Sequence, residues 1–353
     1  MKSETPKLLN LDTSPKTLAV SLCDEVEPSL FLGSFDAVTK PELLNSLGIS
    51  HILTVGPGME IKDFPSHIKR KQILVLDEDN QNLLQYFDET NNFILEGLAT
   101  NGKVLVHCMA GISRSATVVC AFLMKHRSLS SQEALSTLTT VRSIIDPNPG
   151  FREQLEIYEQ IAFEVNVKHE PYRRFLISKM AEDFLCKFLL GFFLSKFLKV
   201  HYFSLFIALG HSNDMILGVD PEQMMTGGVP TPSSFLKIRC KRCRRALIYP
   251  ENIIEHEPGK GQTAFQHRKR DSNFAKGHNE TCSSYFIEPM AWIEGLQGGA
   301  LEGKIDCPKC NTKLGSYTWR GSQCSCGTWV TPAFMVHRSK VDAMAARSVS
   351  YYQ

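Results

Sequence analysis

The chain has 353 residues, 43% of them hydrophobic, and a formal net charge of +2. This length suits two domains better than one, and the apolar content suffices for two buried cores. The near-neutral balance excludes a global pull toward nucleic acid or membrane, and 11 cysteines in so long a chain point to a reducing compartment and metal ligation rather than disulfides.

At the N-terminus, residues 1–15 lack the basic start and apolar core of a signal peptide. Short apolar runs at 30–32, 52–55, 73–76 and 104–107 predict strands. They alternate with helical patterns at about 83–98, 115–125, 132–141 and 150–163, which reads as an α/β domain with a central sheet. Ser130 followed by Glu133 is a capping-box pattern. Phe151, Leu155, Tyr158 and Ala162 fall on one helical stripe, with Asn148 and Pro149 as start signals.

The run His107-Cys108-Met109-Ala110-Gly111-Ile112-Ser113-Arg114-Ser115 carries the chemistry. An apolar stretch, Val104-Leu105-Val106, leads in, and a helical segment leads out. A strand feeding a tight glycine-containing loop and then a helix N-terminus aims successive N–H groups at one spot, where the helix dipole favours negative charge. Cys108 opens this loop, and the same field lowers its thiol pKa. Arg114, six residues on, offers a planar fork that fits two phosphate oxygens at once. A nucleophile, a nest of amides and a bidentate cation around one anion make a phosphate-ester hydrolase site.

The loop resembles the signature of the cysteine-based dual-specificity protein phosphatases. Leu30-Phe31-Leu32-Gly33-Ser34 and Leu47-Gly48-Ile49-Ser50-His51-Ile52-Leu53 resemble the opening strands of that fold, and Pro147-Asn148-Pro149-Gly150-Phe151 resembles the approach to its last helix. The resemblance covers about residues 25–165 and implies the cysteine-based phosphatase fold, a central sheet flanked by helices. It also implies a general acid. Asp77 to Asn82 matches the family's spacing where an apolar run meets a polar loop, so Asp77 is the candidate and Asp79 the alternative. By the same resemblance Cys108 attacks phosphorus and Asp77 protonates the leaving oxygen. The phosphate is held by the loop, Met109, Ala110, Gly111, Ile112, Ser113 and Arg114, while Ser115 assists the departing thiolate. His107 supports the low thiol pKa from behind, and no metal takes part.

Residues 166–232 read as a linker that opens with the polar run His169 to Arg174, but 184–209 is dense in Phe and Leu. A membrane span needs about twenty apolar residues. Lys187, Lys196, Lys199 and His201 interrupt this one, and a central lysine costs about 3 kcal/mol on insertion scales. A membrane span, a helix packed on one of the domains and an insert without function are the three readings. The packed helix is preferred, and no membrane partner is expected. Residues 227–232 read as a loop before the next domain.

The C-terminal region, 233–340, holds Cys240-x2-Cys243, Cys282, Cys307-x2-Cys310 and Cys324-x-Cys326. This is metal spacing, because each tight turn lets two thiolates meet one tetrahedral ion. Cys307, Cys310, Cys324 and Cys326 make a complete ribbon-like set. Cys240, Cys243 and Cys282 are then one ligand short, and His256, between Ile253-Ile254 and Pro258-Gly259, is the candidate over His267, His278 and His337. Pairing across the two groups is the alternative.

A phosphatase followed by such a tail resembles one subfamily of the dual-specificity phosphatases. Tyr285-Phe286-Ile287-Glu288-Pro289, Leu314-Gly315-Ser316-Tyr317, Gln323-Cys324-Ser325-Cys326-Gly327 and Pro332-Ala333-Phe334 carry that likeness. It implies a β-rich domain binding two structural Zn2+ ions and a role in large-ribosomal-subunit assembly largely independent of catalysis. Lys237, Arg239, Lys241, Arg242, Arg244 and Arg245 suit contact with a phosphate backbone, or simply offset the charge of zinc-bound thiolates. Trp292, Trp319 and Trp329 either stack on a partner or form core. Three functions follow as expectations. One is a phosphatase of phosphotyrosine and phosphoserine/threonine in proteins. Another is a ribosome-assembly factor that meets pre-ribosomal particles or ribosomal RNA. The third is a phosphatase of RNA or phosphoinositide esters. The expected location is cytoplasm and nucleus.

Overall fold

The computed structural model describes residues 21–59, 65–193, 217–222, 237–257, 282–296 and 300–344. Its contacts group into two compact units, Met1–Asp77 with Glu89–Arg152, and Glu78–Asp88 with Glu153–Gln353. Residues 1–15, 227–232 and 194–209, like His267 and His278, lie outside the described residues.

The chain opens with β1 (Cys23–Glu27), β2 (Leu30–Ser34), the short helices α1 (Phe35–Val38) and α2 (Pro41–Leu47), β3 (Ile49–Val55) and β4 (Lys69–Ile73). A 3-10 turn at Leu84–Tyr86 leads into α3 (Phe87–Ala99), followed by β5 (Lys103–Cys108), α4 (Arg114–Arg127), α5 (Ser131–Val141) and α6 (Pro149–Gln160). The sheet order is β1-β2-β5-β3-β4, with β5 central and parallel to β2 and β3, and only β1 antiparallel. Val104, Leu105 and Val106 are fully buried, as an unbroken apolar run in a central parallel strand must be. The strand therefore delivers Cys108 to the C-terminal edge of the sheet, where open α/β folds place their sites. Helix α4 is buried from Arg114 through Met124 and is the core helix of this unit. Ser130 and Glu133 form the expected capping box on α5.

Two expected elements shift. The run 73–76 is not a strand: β4 occupies Lys69–Ile73, and Leu74 is 40% exposed. The polar residues Lys69 and Lys71 sit on an edge strand, where charge is tolerated, and pair with Glu96 and Glu89. Helix α6 stops before Phe163 because Ala162 and Phe163 adopt left-handed φ of 51° and 61°. Ile161, not the exposed Ala162, completes its buried stripe.

The second unit begins its helical part earlier than composition suggests. Residues 170–174, which read as the polar opening of a linker, form the start of α7 (Glu170–Phe193). Tyr172, Phe175, Ile177 and Ala181 are buried, and Phe184 stacks on the fully buried Trp319 at 4.5 Å and 15°. Arg173 Nε donates to both oxygens of the fully buried Glu288 at 2.9 Å. The strands are β6 (Lys237–Cys240), β7 (Ala246–Ile248), β8 (Ser284–Phe286), β9 (Glu302–Asp306), β10 (Lys313–Thr318), β11 (Ser322–Gln323), β12 (Trp329–Val330), β13 (Ala333–His337) and β14 (Val341–Met344). They form antiparallel sheets ordered β8-β13-β10-β9 and β14-β6-β7, with β11 and β12 as a hairpin. The region is β-rich, as expected. Among the described residues no helix is long and apolar enough to cross a membrane.

Candidate active site and metal centres

The loop from Cys108 to Arg114 is held by its carbonyls. Met109 O accepts from Phe35 N–H at 3.1 Å, Ile112 O from Asp146 N–H at 2.9 Å, and Gly111 O and Ala110 O from Arg142 at 2.9 and 3.3 Å. A planar trans peptide points its N–H opposite to its carbonyl, so pinning the carbonyls outward turns the amide edges inward. Gly111 makes the turn with φ 69°, and a Cβ there would lie 2.6 Å from Gly33 O. Its N–H donates to Cys108 Sγ at 3.3 Å, and Ser115 Oγ donates at 3.2 Å.

Burial by itself pushes the Cys108 thiol up. The hydrogen bonds from Ser115 side chain and backbone, the Arg114 charge and the Gly111 N–H outweigh it and hold the thiol below its ordinary value. His107, 1% exposed, is held down to about 4 by burial and is neutral at neutral pH. Its Nδ1 lies 3.3 Å from Cys108 O, which can only accept, so the proton belongs on Nδ1. Nε2 then accepts from Thr54 Oγ1 at 2.8 Å.

Arg114 is aimed by its surroundings. Nη1 donates to Val75 O at 3.3 Å, and Gly56 leaves room for the guanidinium. Nε is buried and has no hydrogen-bond partner among the described residues; it lies 3.5 Å from Asp77 Oδ2, close enough for ion pairing but not aligned for a hydrogen bond. A buried charged donor left open beside a thiol is what an incoming phosphate oxygen would satisfy. Asp77, 36% exposed, accepts from Ser113 Oγ at 2.6 Å and from Asn148 Nδ2 at 3.0 Å. Asp79 is exposed.

Sequence reading missed Arg142, Thr54 and Gly56, and took Asn148 only as a helix start. Arg142 is 3% exposed, and besides the two loop carbonyls it binds Ser21 O and Asp24. Nothing in an arginine that ends a largely polar helix announces that task. The turn Gly56-Pro57-Gly58 was the available signal for Gly56.

The eight expected metal ligands gather into two groups whose ligand atoms lie within 4.8 Å of one another. The sequence-adjacent set of Cys307, Cys310, Cys324 and Cys326 is not the one formed. Cys240 and Cys243 join Cys307 and Cys310, while His256 and Cys282 join Cys324 and Cys326. The reason is β10, whose six residues run between the two cysteine pairs of that set. A strand of this length spans about 20 Å, too far for one ion. The two Cys-x2-Cys turns are built alike: Arg244 and Asn311 adopt left-handed φ of 64° and 53° after the second cysteine. His337 instead hydrogen-bonds Ser284. Burial and the neighbouring Cys324 and Cys326 push Cys282 up to about 12, and His256 Nε2 lies 3.4 Å from its sulfur. Both donor sets could hold a tetrahedral divalent ion, which would favour the thiolates over the thiols that close packing otherwise keeps protonated.

Of the basic cluster, Lys237 is buried over Tyr249, Arg244 pairs with Asp342, and Arg245 pairs with Asp220 and Glu222. Lys241 and Arg242 are exposed on the first knuckle. Trp292 and Trp319 are core, and Trp329 is 63% exposed.

The site on the first unit defines a cysteine-based phosphoric monoester hydrolase. The model of the dual specificity phosphatase catalytic domain matches residues 30–161. Dual specificity protein phosphatase 12 of Homo sapiens is 33% identical over 331 residues, 91% of this chain and 88% of its own. Tyrosine-protein phosphatase yvh1 of Schizosaccharomyces pombe is 33% identical over 324 residues, 91% of this chain and 84% of its own. Tyrosine-protein phosphatase YVH1 of Saccharomyces cerevisiae is 30% identical over 353 residues, 91% of either chain. The chain belongs to the dual specificity phosphatase family and, within it, to the dual specificity protein phosphatase 12 type.

Proposed function

We propose that the chain hydrolyses phosphotyrosine and phosphoserine/threonine in proteins through a cysteinyl-phosphate intermediate. The observation that carries this reading is the pair of donors on Cys108 Sγ, the Gly111 N–H and the Ser115 hydroxyl, with the Arg114 charge near enough to lower the thiol further. In the first step the Cys108 thiolate attacks phosphorus in line, the P–O bond to the protein substrate breaks, and Asp77 gives its proton to the departing oxygen. In the second, Asp77 takes a proton from water as the water attacks phosphorus. Sulfur leaves as thiolate, stabilised by Ser115 Oγ–H. Arg114 and the loop amides carry the charge on the equatorial oxygens in both steps. Neutral His107 keeps the backbone at Cys108 in place through its Nδ1–H. Assay of the full chain against phosphopeptide, RNA 5′-phosphate and phosphoinositide panels tests this. Turnover of phosphopeptides that is lost in Cys108→Ser is expected, and preference for either other ester overturns the protein-substrate reading.

Zn2+ is the ion assigned to both ligand groups, since tetrahedral sets of four thiolates, or of three thiolates and an imidazole, favour it over harder cations. Each would tie distant strands together and take no part in the chemistry at Cys108. Exposed Lys241, Arg242 and Lys309, on the two knuckles of the first ligand group, support a pre-ribosomal or ribosomal RNA partner, and with it residence in nucleus and cytoplasm. Co-sedimentation with large-subunit precursors tests the partner, and imaging of the tagged chain tests the location. Comigration that survives Cys108→Ser would assign that role to the zinc-bearing part.

A further inference from the structure

The resting position of Asp77 is set by two side chains that the reaction scheme above does not use. Ser113 precedes Arg114 and is the N-cap residue of α4, where a serine usually spends its oxygen on the helix amides; here it makes no such bond. Its Oγ accepts from Asn148 N–H at 3.2 Å and donates to Asp77 Oδ1 at 2.6 Å. Asn148 is fixed in turn. Its Oδ1 accepts from Phe151 N–H at 2.9 Å, capping the start of α6. Its orientation is therefore not free, and Nδ2 is left to donate to the same Asp77 Oδ1 at 3.0 Å.

We infer that Ser113 and Asn148 are positioning residues that anchor Asp77 through Oδ1, so that the transferred proton travels on Oδ2. An oxygen that accepts two hydrogen bonds is the unfavourable place for a proton. Oδ2 faces Arg114 Nε, the donor an incoming phosphate would occupy, and so lies on the side from which the leaving oxygen must be reached. In the first step the Oδ2–H bond breaks as the proton joins the leaving oxygen, and the carboxylate keeps its two bonds to Oδ1. In the second step Oδ2 takes the proton from water. This rests on the reading of Asp77 as general acid and adds the reason that a partly exposed loop carboxylate is held in register.

The test is the dependence of rate on the leaving group. A nitrophenolate leaves with little help, whereas an alkoxide needs the acid. Ser113→Ala and Asn148→Asp are each compared with wild type on p-nitrophenyl phosphate and on a phosphoserine peptide. Asn148→Asp keeps the cap to Phe151 but loses the donor to Asp77, so it folds even if removing the asparagine outright would not. The expected result is a loss of about 10-fold or more in kcat/KM on the phosphoserine peptide, against less than about 3-fold on the nitrophenyl ester. In an Asp77→Asn background the same substitutions should add nothing, and Ser113→Thr, which keeps the hydroxyl, should restore the peptide rate. Equal losses on both substrates, or full additivity with Asp77→Asn, would overturn the inference while leaving Asp77 as the acid. If Asp77→Asn itself lowers both substrates alike, the reading beneath it fails instead.

Discussion

Substituting Gly56 by alanine should cripple the enzyme from outside the signature loop. Gly56 follows β3 with φ 136°, a conformation that a residue with a side chain rarely adopts. A Cβ there would lie 2.2 Å from Arg114 Nη1 and 3.1 Å from Cζ, whereas ordinary contact begins at 3.4 Å. The guanidinium must therefore move by about 1 Å or more, and a displacement of that size at a catalytic centre costs on the order of 100-fold in rate. Backbone strain adds about 1–3 kcal/mol of destabilisation, which lowers the melting temperature by several degrees without unfolding a domain of this size. The assay is kcat/KM on p-nitrophenyl phosphate, whose good leaving group removes Asp77 from the comparison, alongside thermal melting by circular dichroism. The expected outcome is a folded Gly56→Ala protein with about 1% of wild-type kcat/KM and weakened competition by inorganic phosphate. A folded variant within threefold of wild type would refute the argument that this glycine makes room for Arg114.

Acid should weaken the catalytic unit through His107. Its folded pKa of about 4 lies below the ordinary 6.5, so between those values the unfolded chain takes up a proton that the folded chain refuses. The stabilising contribution is complete above 6.5 and is lost as pH falls toward 4, amounting to about 2 kcal/mol between pH 7 and pH 5. Urea unfolding at the two pH values measures the drop, and His107→Asn should shrink it. At the metal centres, Cys307→Ser and Cys324→Ser should each remove a different ion. Metal analysis of the full chain should find one ion in either single variant and none in the double, whereas one ion surviving in the double would restore the sequence-adjacent grouping.

What the sequence made legible was local. The strand, loop and helix around Cys108 could be read because the chemistry is packed into nine consecutive residues whose spacing is itself the signal. The buried run of β5 was read for a related reason, since a central parallel strand leaves no room for polar alternation. The eight metal ligands were legible as residues because two cysteines on one tight turn have few other uses. Their grouping was not, since it depends on which ends of β10 the two pairs occupy. Arg142, Thr54 and Gly56 escaped notice for the same reason: each acts on a residue tens of positions away, through a carbonyl, an imidazole or simple absence of bulk. The start of α7 was hidden by composition. Glu170, Arg173 and Arg174 look like linker, yet Arg173 is committed to Glu288 and Arg174 to the carbonyl of Ile253. β4 was displaced because an edge strand can be written in lysine and arginine.

The most direct measurement is the fate of the phosphoryl group during turnover. Mass spectrometry of protein quenched in acid within the first turnover of a phosphopeptide should find one phosphoryl group, on Cys108, and none in Cys108→Ser. Phosphate carried by any other residue, or undiminished hydrolysis by Cys108→Ser, would contradict the account.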